Sequence, residues 1–219
     1  MGLRERKKEQ TRQAIAAAAV RLFVERGFDR VPVADVARAA DVSEKTVFNY
    51  FPTKEELVYN RLETFEEELL TAVRERRPGE SVVAAFGRFV SRPRGLLAEP
   101  EGGEQLRAVT AMIAASPALR ARERQIFERY TESLAKLLTA DTGAREGDAE
   151  PWVVANALIG VHRALLEYVR RSLAAGRSNR SIAAAVRVQV GQAIARLEGG
   201  LGDYGVRGDP EVPPAPRRR

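Results

Sequence analysis

From Ser43 to Phe51 the chain reads SEKTVFNYF. Val47 and Phe51 lie four residues apart and face one way on a helix, while Glu44, Lys45, Thr46, Phe48, Asn49 and Tyr50 stay outside. That outward set suits one kind of chemistry. A lysine can bond guanine O6 and N7, a carboxylate can accept from cytosine N4, an asparagine can pair with adenine, and an aromatic face can cover a thymine methyl. Glu44, Lys45, Asn49 and Phe48 are therefore candidates for reading base edges. Thr46, Tyr50 and Lys54 are candidates for phosphate contacts, which set register rather than sequence. The competing reading is an ordinary surface helix, but a segment so short and polar buries too little to serve as scaffolding alone.

Such a helix has to be mounted on something. Val33, Val36, Ala37 and Ala40 fall at i, i+3, i+4 and i+7, the apolar face of a helix just upstream. Asp41-Val42-Ser43 breaks that pattern. Ser43 is a good N-cap, and Glu44 puts a carboxylate in the first turn, where the helix dipole favours it. Helix, tight turn and short exposed helix form the helix-turn-helix pattern, whose second helix enters a DNA major groove. A longer helix precedes it through Ile15, Ala18, Ala19, Leu22 and Phe23 and stops at Gly27, a C-cap. Its start carries Arg4, Arg6, Lys7, Lys8 and Arg12 against Glu5 and Glu9. Taken alone this run is equally a solvated helix end. Beside a helix-turn-helix, Arg4, Lys7 and Lys8 become phosphate candidates.

Phe23, Gly27-Phe28, Val33, Asp35-Val36-Ala37, Ala40, Val42-Ser43, Thr46-Val47, Tyr50-Phe51 and Lys54-Glu55 together resemble the DNA-binding domain of the TetR family of bacterial transcriptional regulators. The resemblance covers roughly the first quarter of the chain. The VFNYF stretch is also similar to regulators of the mycofactocin-regulator type, some of which respond to long-chain acyl-CoA. Two positions depart from the family pattern. Pro32 stands where a threonine usually caps the second helix and touches a phosphate; proline has neither hydroxyl nor N–H, so that contact is expected to be missing. Asp41 stands where glycine is usual, and aspartate tolerates the left-handed conformation less freely. Phe48 replaces a tyrosine more common in the family.

The resemblance implies an all-α fold (TetR-like), an N-terminal helix-turn-helix three-helix domain followed by a helical effector-binding and dimerisation domain. The boundaries expected are residues 1–52 for the head, 53–198 for the body and 199–219 for a disordered tail, which holds four of the eleven prolines and five of the seventeen glycines. Thr53 is expected to N-cap a helix, with Glu56 completing a capping box, that runs to about Arg76 and links head to body. Further helices are expected at about Ser81–Ser91, Glu104–Ala115, Pro117–Thr139, Glu150–Ala175 and Ser178–Glu198. No stretch shows strand alternation. In the last two helices, small residues (Ala155, Ala157, Gly160, Ala164, then Ala183, Ala184, Ala185, Gly191, Ala193, Ala195) alternate with large apolar ones. They are apolar around more of the circumference than one core requires, which suits the homodimer through Glu150–Ala175 and Ser178–Glu198 that the resemblance implies. The competing reading is that they close the chain's own core.

An effector pocket in the body would be apolar with a few polar anchors. Phe86, Phe89, Met112, Phe127, Tyr130 and Trp152 are candidate linings, with Asn156, His162 and Arg163 as polar contacts; each is also a candidate for plain core or interface. Their character suggests a hydrophobic or amphipathic small molecule.

Bulk properties narrow the classes further. The 219 residues carry a net charge of +6, which suits a nucleic-acid partner. There is no cysteine and one histidine, His162, so thiol chemistry and His/Cys metal sites are excluded by count. GxSxG, P-loop, HExxH and GxGxxG motifs are all missing. No enzyme, cofactor or metal is therefore expected. No stretch approaches the roughly 18 apolar residues of a membrane span, and the charged start lacks a signal-peptide core, so a cytoplasmic protein is expected. The resemblance thus implies a repressor, repression being the commoner mode in the family beside activation, released from a palindromic operator by a small molecule that tilts the connecting helix. The alternative is an all-helical structural or adaptor protein without a specific DNA target.

Overall fold

The computed structural model describes residues 2–60, 62–99, 102–145, 147–201 and 206, and among these there is no strand. Nine α-helices follow in order: α1 Leu3–Arg26, α2 Val33–Ala39, α3 Glu44–Tyr50, α4 Leu62–Arg74, α5 Val82–Val90, α6 Gly103–Ala115, α7 Pro117–Thr142, α8 Glu150–Ala174 and α9 Asn179–Leu201, counted among the described residues. The chain forms two compact units, residues 1–63 with 104–126 and residues 64–103 with 127–219.

In the first unit α1 is long because alanines fill it without side-chain entropy cost, while Ile15, Ala19, Leu22 and Phe23 supply a buried face. Gly27, at φ 87°, ends it, and its N–H donates to the Phe23 carbonyl at 2.8 Å. The chain then turns through Phe28–Arg30, placing Phe28 edge-on to Phe23 with ring centroids 5.0 Å apart. Val36, Ala37, Val47, Phe51 and Leu57 join these side chains in one core, as do Met112, Ile113 and Leu119. The head expected over residues 1–52 is therefore completed by a distant piece of chain. Three polar ties hold that piece within the unit. Ser116 Oγ bonds Asp29 Oδ1 at 3.0 Å, the Tyr59 hydroxyl donates to the Leu119 carbonyl at 3.0 Å, and Arg122 pairs with Glu56 at 3.0 Å.

That last pair marks a difference from the sequence reading. Instead of a helix starting at Thr53, residues 55–57 form a single 3-10 turn and α4 begins at Leu62. Glu56 thus serves as an ion-pair partner for Arg122, not as the second half of a capping box.

In the second unit α5 packs against α9 so closely that a Cβ on Gly87 would lie 2.7 Å from Ile194 Cγ1. Ser81 caps α5, its Oγ accepting from the Ala84 N–H at 3.1 Å. Buried Arg76 donates to the Val73 carbonyl at 2.9 Å and to the Asp141 carboxylate, tying the end of α4 to α7. Asn179, at the start of α9, donates to the carbonyls of Leu96 and Glu99 at 2.9 and 3.1 Å and so pins the connection between α5 and α6. Helix α9 continues to Leu201; the rest of the expected tail, Val206 aside, lies outside the described residues. No helix among the described residues is long and apolar enough to cross a membrane.

The turn between α2 and α3 has one strained residue. Asp41 sits at φ 55° in the left-handed region, the Asp41 N–H donates to the Arg38 carbonyl (3.3 Å) and the Val42 N–H to that of Ala37 (3.0 Å). This is a Schellman motif with aspartate where glycine is cheapest. Asp41→Gly is expected to raise head stability by about 0.5–1 kcal/mol, read as a higher denaturant midpoint at unchanged slope.

Candidate nucleic-acid interface and aromatic cluster

Helix α3 has seven residues, and its placement follows from two of them. Val47 and Phe51 are each 1% exposed and lock one face into the head core. Ser43 starts the helix, its Oγ accepting from the Thr46 N–H at 3.1 Å. The opposite face carries Glu44, Lys45, Phe48 and Asn49, all exposed, with Phe48 46% exposed. An aromatic ring so open to solvent costs hydration free energy and suits a surface that is covered in use. The four side chains assigned to base edges are thus on one open face. Of the phosphate candidates, Thr46 shares a 2.8 Å hydrogen bond with Ser43 Oγ, and Tyr50 is half-buried against the core. Arg4, Lys7 and Lys8 stand exposed along the first turns of α1, which is regular from Leu3 on. Pro32 precedes α2 at φ −72° with no side-chain cap.

Lys54 departs from its expected role. Its ammonium donates to the Phe28 carbonyl at 2.6 Å and lies 4.4 Å from the Phe28 ring centroid and 5.5 Å from that of Phe23. Burial lowers its pKa, opposed by the nearby charges of Asp29 and Glu55. The group is spent inside the head, because a carbonyl and two ring faces offer a desolvated cation more than a distant phosphate does. Arg12 is similarly engaged, donating to the Asn60 carbonyl at 2.8 Å with its guanidinium 5.0 Å from the Phe51 ring centroid.

The body candidates separate into four groups. Phe89, Phe127, Tyr130 and His162 come together around Phe65, a residue the sequence marks only as one more apolar helical position. Phe65 lies 5.3 Å from Phe89, 5.3 Å from Tyr130 and 4.8 Å from His162, stacked on the last. Arg163 covers Phe127 at 5.3 Å, and Arg94, also missed in the sequence, covers Phe89 at 3.8 Å. Nothing local links residues 65, 94 and 162, so no sequence signal could have grouped them. Met112 instead belongs to the head core, a correction to its place among the pocket linings, because α6 from Glu104 on lies in that unit and buries Met112 and Ile113 there. Trp152 and Asn156 lie on the exposed side of α8, the Asn156 amide donating to the Trp152 carbonyl at 2.8 Å; Phe86 is fully buried in the body core. No group of three His, Cys, Asp or Glu among the described residues could hold a metal ion.

Burial, with a smaller contribution from Arg94, pushes the His162 pKa down to about 4, so the ring is neutral at neutral pH. Burial likewise raises the Tyr130 phenol.

Two outcomes are expected from these placements. Lys54→Met should lower head stability by about 1–2 kcal/mol while leaving the salt slope of DNA binding unchanged, whereas Lys7→Ala should flatten that slope by about one. For His162, the unfolded chain binds a proton near pH 6.5 that the folded chain refuses until about pH 4. Stability should therefore fall as pH drops through that window, by on the order of 1–3 kcal/mol. Melting curves of the protein and of His162→Gln should diverge between pH 4 and 6.5 and run parallel above it.

With the head's geometry in view, the comparisons with known proteins align. Residues 15–59 match the sequence model of the family described as bacterial regulatory proteins, tetR family. The transcriptional regulator TcmR of Streptomyces glaucescens is 29% identical over 146 residues, 65% of this chain; the chain thus spans just under two thirds of that relative, 65% of its length. A regulator of Mycobacterium tuberculosis named for mycofactocin biosynthesis, MftR, is 25% identical over 172 residues, 74% of this chain and 81% of that one. Among solved structures, a complex of SmeT with triclosan shares the fold at a TM-score of 0.56 and 17% identity, covering 95% of this chain and 100% of that one. The matched segment runs from the buried face of α1 through α3 to Tyr59, and over it the chain is similar to the bacterial regulatory proteins of the tetR family.

Proposed function

We propose that the protein is a sequence-specific DNA-binding transcriptional regulator, a repressor that leaves a palindromic operator when a small hydrophobic or amphipathic molecule binds its body. One observation carries the reading: a seven-residue helix anchored by Val47 and Phe51 that presents Glu44, Lys45, Phe48 and Asn49 to solvent on one face. That set offers a partner for every base type in the major groove. The names of TcmR and MftR as transcriptional regulators support it.

Two-fold recognition needs two heads, and the exposed sides of α8 and α9 support a homodimer. Val153, Gly160 and Ala164 are exposed along α8, and Ala184, Val188, Gly191 and Ala195 along α9. These small apolar residues recur at helical spacing, and a Cβ added at Gly160 or Gly191 would meet nothing within 4 Å. Open, apolar and small-sided faces suit close packing against a second copy. Ligand release then requires an effector whose affinity differs between the head spacing that fits DNA and one that does not.

Footprinting on DNA upstream of the protein's own gene, across a salt series, tests the reading. A protected two-fold symmetric patch is expected, weakening steeply with salt. Binding that ignores ionic strength would instead favour the adaptor alternative. Lys45→Ala should relax preference at one base pair by about 1–3 kcal/mol, while a uniform loss on all sequences would remove Lys45 from base reading. Val188→Arg should turn the dimer into monomers by sedimentation and abolish the symmetric footprint without lowering helicity.

A further inference from the structure

The aromatic cluster of the second unit is closed on one side and open on another. Phe89, Phe127 and Tyr130 are buried, whereas Phe65 and His162, stacked at 4.8 Å, are only half-buried. The cluster therefore opens at the Phe65–His162 stack. Arg94 stands beside it with its valences unevenly used. Nη1 donates to the carbonyls of Phe89 and Arg92 at 2.7 and 3.1 Å, and Nε faces Glu68 at 3.4 Å. Its two Nη2 hydrogens have no acceptor among the described residues. Arg163, on the Phe127 ring, likewise has no carboxylate partner among the described residues.

We propose that this opening binds a planar aromatic carboxylate, its ring against Phe65 and His162 and its carboxylate on Arg94 Nη2. The inference rests on the effector reading above and adds the ligand's chemical class. Ring edges and faces already arranged at 60° and 21° in the cluster favour another aromatic ring over a flexible alkyl chain, which loses more rotamer freedom on binding. A cationic ligand is disfavoured because guanidinium groups already occupy the outer faces of Phe89 and Phe127. A partly desolvated guanidinium gains most from an anion that completes its hydrogen bonds. His162, neutral at physiological pH, can supply a hydrogen bond to the ligand's oxygen without adding charge.

Calorimetric titration of the full chain with 2-naphthoate, laurate and 2-naphthalenemethanol tests this. One 2-naphthoate per chain is expected, bound at least tenfold more tightly than either of the others. Arg94→Met should erase the advantage over the neutral alcohol, and Arg94→Lys should keep part of it; melting curves confirm that each variant folds. The wild-type series stands by itself if a variant does not. Laurate or the alcohol binding as tightly as 2-naphthoate, or none of the three binding, overturns the proposal. DNA retention of the same preparation separates the two readings. Salt-dependent DNA binding without naphthoate binding sinks only the ligand class, and no DNA binding under any condition sinks the regulator itself.

Discussion

A helix of seven residues does not hold itself together in water, because nucleation costs more than so few hydrogen bonds return. Glu44–Tyr50 persists because Val47 and Phe51 are driven into a shared core and Ser43 satisfies an orphan N–H. Everything useful about this segment follows from that constraint. With stability supplied from one face, the other is released from structural duty and can carry a lysine, a glutamate, an asparagine and an open phenylalanine together. The core that holds it also depends on Met112, Ile113 and Leu119, so a candidate interface legible in nine consecutive residues rests on packing from far along the chain.

Cations over aromatic rings recur throughout the molecule, and how fully each is satisfied separates structure from function. Lys54 is satisfied by a carbonyl and two phenylalanine faces and acts as an internal pin. Arg12 joins α1 to the Asn60 carbonyl over Phe51 in the same way. Arg94 sits closest of all to its ring yet keeps one end of its guanidinium unspent, at the half-open edge of five clustered rings. Desolvation without complete pairing is the condition under which a charged group gains from a ligand.

The two units also differ in how much a likeness to other proteins says about them. For the head, the family match covers Glu44 to Asn49 of the candidate interface, so fold and surface are compared together. For the body, resemblance to SmeT at 17% identity concerns the path of the chain alone. The ligand chemistry of the body lies in its own side chains, in the unequal burial within the aromatic cluster.

Periodicity and caps were enough to determine the local structure. The 3.6-residue spacing through Ile15–Phe23 and Val33–Ala40, the Ser43 cap, the Gly27 stop and the apolar pair Val47 and Phe51 are short-range, and each appears in the structure where the pattern puts it. Asp41 in the left-handed turn was legible from the resemblance, because the family pattern has glycine at that position. Tertiary structure decided whatever depends on which distant residues meet. It brought Met112 into the head, turned Lys54 inward and broke the helix expected from Thr53. It also gathered residues 65, 89, 94, 127, 130 and 162 around one cluster. The physical reason is one of range: hydrogen-bonded turns and caps act over four residues, while burial and ring stacking have no sequence distance at all.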